Sequence, residues 1–125
     1  METVAVLGAS RNPNKYGNKS VRAYLRAGYK VFPIHPRETE IEGQRVYPTL
    51  AEVPEAIARI TVYLPPAVTR TLLPQIAAAG AAEVFFNPGS ADDAIVTEAR
   101  ALGIPAIEAC SIVDIGLRPS QFPGN

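Results

Sequence analysis

The sequence predicts an α/β fold: a single doubly wound, five-stranded parallel sheet with helices on both faces. Five short apolar runs (Thr3–Gly8, Lys30–Ile34, Arg59–Leu64, Glu83–Phe86 and Ile104–Glu108) recur along the 125 residues, separated by helical patterns or crossover loops. Gly28, Gly80 and Gly103 stand where helical patterns end, as helix stops do. Strands spaced this way run parallel, and right-handed crossovers distribute the helices over both faces.

The first strand, TVAVLG, ends in Gly8 and enters a small, basic loop, ASRNPNKYGNK, before a helix over Asn18–Ala27 with Val21, Tyr24 and Leu25 on one face. The second strand is KVFPI. From Arg37 to Pro54 the chain is polar and turn-rich: Glu38, Glu40 and Glu42 fall in a loop, Gly43 in a turn, Arg45–Tyr47 in a brief extended piece and Leu50–Val53 in a helical turn. After the third strand, RITVYL, Pro65 and Pro66 suit the first turn of a helix, where a missing N–H would be unpaired anyway. That helix runs to Ala79, and Pro74 inside it is expected to kink or split it. The fourth strand, EVFF, leads through the turn Asn87–Ser90 to a helix over Asp92–Leu102, with acids in its first turn and Arg100 in its last, as the macrodipole favours. Asp92, Asp93 and Glu98 read as helix-start and solvent-face charges rather than catalytic acids. The fifth strand is followed by a short element at Ser111–Ile115 and a proline-rich tail.

A chain of 125 residues fits one domain, spanning 1–125, and is too short for a binding domain plus a separate catalytic domain. It has 47% hydrophobic and 19% charged residues, no run of eighteen apolar residues and no signal-peptide pattern, so the expectation is a cytoplasmic protein without a membrane partner. One cysteine, Cys110, precludes an internal disulfide framework, and one histidine without a cysteine cluster supports no metal site.

The formal net charge is zero, but its distribution is uneven. Through residue 37, seven bases (Arg11, Lys15, Lys19, Arg22, Arg26, Lys30, Arg37) face one acid, Glu2, and the remainder carries five bases and eleven acids. An anionic partner therefore belongs to the first third, the other reading being a solvated helix face. Nucleic acid fits poorly, because no aromatics interleave with the bases on a strand face and the acidic remainder would repel phosphates.

A strand that ends in glycine before a helix builds an anion site from the unpaired N–H groups of the helix start. Here Gly8 and Gly17 are nine residues apart, with Ala9 and Ser10 between them and Arg11 and Lys15 as the bases of the loop; the usual dinucleotide fingerprint is tighter. An NAD site also places an acid roughly twenty residues further on, at the end of strand two. This chain has Ile34, His35, Pro36 and Arg37 there, a cationic pair suited to an extra phosphate such as the 3′ group of coenzyme A or the 2′ group of NADP. Alternatively His35 is a surface-loop residue and Glu38 neutralises Arg37.

The string VAVLGASRNPNKYGNKSVRAYLRAGYKVFPIHPR, with YPTLAEVPE, YLPP and FFNPG, resembles the small stand-alone CoA-binding proteins. These are a Rossmann-type family similar to the CoA-binding domain of the succinyl-CoA synthetase α subunit. The resemblance covers nearly the whole chain and implies a Rossmann-like fold that binds coenzyme A or an acyl-CoA. It places the CoA phosphates against Gly8, Ala9, Ser10, Arg11, Tyr16 and Gly17, with Lys15 in the same loop. The nucleotide falls beside Pro33, His35, Pro36 and Arg37, the turn after strand three at Leu64, Pro65 and Pro66, and the pantetheine arm near Phe86, Asn87 and Pro88.

Two departures bear on catalysis. The synthetase keeps its phosphorylated histidine in a second domain, and it has an acidic turn after strand four where this chain reads NPGS. No second histidine is present to serve Cys110 or a serine as base, so the sequence assigns no catalytic residue. Cys110, just past strand five, is either a small buried residue or a thiol placed to form a mixed disulfide with CoA. Non-catalytic CoA binding is the leading reading. A small NADP-linked reductase, and a regulatory subunit that has lost the ligand, remain as alternatives, with a protein partner or a homo-oligomer compatible with each.

Overall fold

In the computed structural model, which describes residues 2–124, the apolar runs form β1 (Thr3–Leu7), β2 (Lys30–Ile34), β5 (Arg59–Val62), β6 (Glu83–Phe86) and β7 (Ala106–Glu108). They pair in the order β2-β1-β5-β6-β7, all parallel, giving the Rossmann-like α/β sheet. Because β1 lies inside the sheet, both its faces are covered, and its side chains divide with a period of two. Ala5 and Leu7 join the core beneath α2 (Pro66–Ala79) and α3 (Asp93–Ala101), with Leu73, Ile76, Ile95 and Ala99. Val4 and Val6 meet Val21 and Tyr24 of α1 (Tyr16–Arg26) on the opposite face. There α4 (Ser111–Asp114) also packs, through Ile112 against Ala23 and Phe122.

The order of the strands reverses between β1 and β5. At such a switch point the loops leaving the two strands diverge to opposite faces and open a crevice at their carboxyl ends.

Several boundaries differ from expectation. Helix α1 starts at Tyr16 rather than Asn18, and its N-cap, Lys15, makes no side-chain cap, so the usual sequence marker is missing. The acidic stretch is a hairpin, β3 (Glu40–Ile41) and β4 (Gln44–Arg45), turned by Glu42 and Gly43 with φ of 50° and 76°. Tyr47 then bridges to Ile34 and covers the free edge of β2. β5 stops at Val62, short of Leu64, and β7 starts after Pro105. Helix α2 is continuous through Pro74, which lies on its exposed face, where solvent can reach the Arg70 carbonyl that the ring cannot bond.

Candidate anion and nucleotide site

A cavity of about 970 Å³ lies at the carboxyl ends of the strands, at the upper end of the range for small-molecule sites. The β1 to α1 loop forms its floor. Gly8 adopts φ 85°, and a Cβ on it would stand 2.7 Å from the Tyr63 carbonyl oxygen, so only glycine fits. The loop is tied internally, with the Asn12 N–H donating to Ser10 Oγ (3.0 Å), Asn14 N–H to Asn12 Oδ1 (3.0 Å) and Lys15 N–H to the Asn12 carbonyl (3.1 Å). Among the described residues, nothing accepts from the N–H groups of Tyr16 and Gly17, the first two of α1, and both residues line the cavity. This is the arrangement that holds an anion at a helix start.

The cavity brings together twelve of the residues singled out from the sequence: Gly8, Ala9, Ser10, Lys15, Tyr16 and Gly17 on the loop; His35 and Pro36 after β2; Leu64 and Pro65 after β5; Asn87 and Pro88 after β6. Five lie outside its lining. Pro33 and Phe86 are buried within their strands, Arg11 and Arg37 extend outward, and Pro66 is exposed in the first turn of α2. Asn14, Ile34 and Gly89 also lie in the walls, and Tyr63, Ser90, Cys110, Val113 and Pro119 add to these. Of these, sequence reasoning placed Cys110 near the mouth, and Tyr63 and Ser90 fall within the YLPP and NPGS strings, but no motif marks Val113 or Pro119.

The excess of bases in the first third proves to be mostly committed within the protein. Arg11 pairs with Glu38 at 3.4 Å and Lys30 with Glu55. Lys19 and Arg22 donate to the Phe122 carbonyl at 2.9 and 3.0 Å, and Arg26 stacks 4.5 Å from the centre of the Phe122 ring. Among the described residues, Lys15 is the one lysine or arginine in the cavity lining.

His35 is half-buried rather than a free surface residue. Its Nδ1 accepts from the N–H groups of Arg37 and Glu38, both at 3.0 Å, so in the neutral ring the proton sits on Nε2. Asn87 has spent its side chain on architecture. Its Nδ2 donates to Thr61 Oγ1 (2.7 Å) and the Val62 carbonyl (2.9 Å), and its Oδ1 accepts from the Ser111 N–H (2.9 Å). The Ser111 hydroxyl in turn contacts Thr61 Oγ1 (2.6 Å) and the Tyr63 hydroxyl (3.1 Å). Burial pushes the Tyr63 phenol above its ordinary pKa of 10.0, an effect only partly offset by its hydrogen bond to Ser111. Two large apolar side chains at the cavity remain exposed, Tyr16 at 58% and Val113 at 57%, a surface that a bound ligand would cover.

A family model described as a CoA binding domain matches residues 2–116. The α subunit of an ADP-forming acetate–CoA ligase II from Pyrococcus furiosus is 34% identical over 65 residues, which are 50% of this chain and 14% of that subunit. A solved structure of a conserved hypothetical protein from Pyrococcus furiosus superimposes with a TM-score of 0.82 at 30% identity, covering 91% of this chain and 99% of that one. A dinucleotide-forming acetyl-coenzyme A synthetase 1 from Ca. Korarchaeum cryptofilum shares the fold, with a TM-score of 0.76 at 24% identity over 86% of this chain and 26% of the synthetase.

Proposed function

Because the chain belongs to the CoA-binding domain family, we propose that its cavity binds coenzyme A or an acyl-CoA and does not transform it. The observation that carries this reading is the loop between Gly8 and Gly17: Tyr16 and Gly17, whose N–H groups have no acceptor among the described residues, line the cavity beside Lys15. Oriented backbone donors at a helix start suit a pyrophosphate, and Lys15 adds a full charge beside them. The nucleoside then lies toward His35 and Pro36, where the Nε2–H is the fixed donor and Arg37 stands outside to meet the 3′-phosphate. The pantetheine arm runs past Leu64 and Pro65 toward Asn87, Pro88 and Cys110. On this path the Ser90 Oγ donates to the Asn87 carbonyl at 2.7 Å, and the Asn87 side chain is held by Thr61, Val62 and Ser111.

Ligand-induced stabilisation tests this. CoA at a hundredfold excess over its dissociation constant should stabilise the protein by about 2.7 kcal/mol, while NAD at equal concentration should leave the melting temperature unchanged. A shift with NAD or NADP and none with CoA would refute the assignment.

A further inference from the structure

We infer that Asn18 and Arg22 are positioning residues for the anion loop, and that the segment 117–124 holds Arg22 in place to do so. The inference rests on the reading of that loop as the CoA phosphate site. Asn18, fully buried on α1, donates from Nδ2 to the Ser10 carbonyl at 2.9 Å and to Glu42 Oε2 at 3.0 Å. Its Oδ1 accepts from Arg22 Nε at 2.7 Å. The same guanidinium reaches the loop a second time, donating from Nη2 to the Pro13 carbonyl at 2.8 Å. One planar group thus secures both the early and the late part of the loop, from behind and without entering the cavity lining.

The remaining donors of Arg22 face the tail. Nη2 also reaches the Phe122 carbonyl at 3.0 Å and Nη1 the Pro123 carbonyl at 3.2 Å. Phe122 is itself buried against Ala23 and Ile112, and Lys19 shares its carbonyl. This tail lies beyond residue 116, where the family match ends, yet it supplies Pro119 to the cavity wall. The tail and the loop therefore meet at one guanidinium, and loosening the tail frees the group that holds the loop.

The test compares wild type with Arg22→Lys, which keeps the charge and loses the fork, and with Phe122→Ala. Hydrogen exchange of the bonded loop amides of Asn12, Asn14, Lys15 and Asn18 is followed without ligand, and CoA affinity is measured by calorimetry. Both variants should exchange these amides about tenfold faster and bind CoA about tenfold more weakly, while amides of β5 and β6 keep wild-type rates. Unchanged loop exchange overturns the inference, as does faster loop exchange with wild-type affinity. Acceleration shared equally by β5 and β6 also overturns it, since that marks global loss of stability. If wild type binds no CoA, the ligand reading alone fails, and the exchange rates still decide whether Arg22 and the tail hold the loop.

Discussion

Gly17, in the first turn of α1, rests so closely on Gly8 that a Cβ would overlap the Gly8 carbonyl oxygen. The two glycines that bracket the loop are thus in contact, and their spacing of nine serves to bring the start of the helix back onto the end of β1. Gly17→Ala should cost about 1–3 kcal/mol, the usual penalty for inserting a methyl group into a packed site. CoA affinity should fall with it, because the displaced turn carries the Tyr16 and Gly17 N–H groups. Urea unfolding and a CoA titration measure the two effects, and a variant with wild-type values in both would show that the loop tolerates a side chain.

Asn87 joins β5, β6 and the start of α4 through three side-chain hydrogen bonds. Asn87→Ala leaves the buried Ser111 N–H without its partner, so the loss should be about 1–3 kcal/mol. Since α4 contributes Val113 to the cavity, CoA should also dissociate faster. Stability unchanged in urea would mean that α4 is held by the Arg59 to Asp114 ion pair at 3.0 Å instead.

Lys15 and Arg37 stand in different places, one in the cavity lining and one outside it. Lys15→Ala should weaken CoA and dephospho-CoA alike, by roughly one to two orders of magnitude, as loss of a charge-assisted contact worth about 1.5–3 kcal/mol requires. Arg37→Ala should weaken CoA and leave dephospho-CoA unaffected. Calorimetric titration of both ligands distinguishes the cases, and equal weakening by Arg37→Ala would remove it as the reader of the 3′-phosphate.

The raised phenol of Tyr63 predicts an alkaline limit. The unfolded chain ionises near pH 10.0 while the buried hydroxyl stays protonated, so the folded state holds the extra proton above that pH. Stability is therefore complete below pH 10.0 and declines as pH rises toward the folded value. Tyr63→Phe should flatten this decline and lower neutral-pH stability by about 1 kcal/mol, the worth of its bond to Ser111. Unfolding curves between pH 7 and 11 measure it; a slope equal to wild type would assign the alkaline limit to Tyr24 and Tyr29, whose phenols burial also raises.

The sequence by itself determined the elements whose signal is local. Runs such as VAVL and VFPI, rich in β-branched residues and spaced by helical patterns, specify a parallel sheet, and a glycine closing the first of them marks the loop of the site. Local pattern also located the strand ends that meet at the cavity, from His35 and Pro36 to Asn87 and Pro88. It missed the hairpin at Glu40–Arg45, whose Glu42 is held by Asn18 from a helix 24 residues away. Only the tertiary structure decided where the charges go. Seven bases in the first third look alike in sequence, but Lys19, Arg22 and Arg26 turn to a tail about a hundred residues later, and Lys15 alone lines the cavity. A long basic side chain reaches several ångströms from its own backbone, so its partner is chosen by which carbonyls, carboxylates and rings the fold brings within that radius.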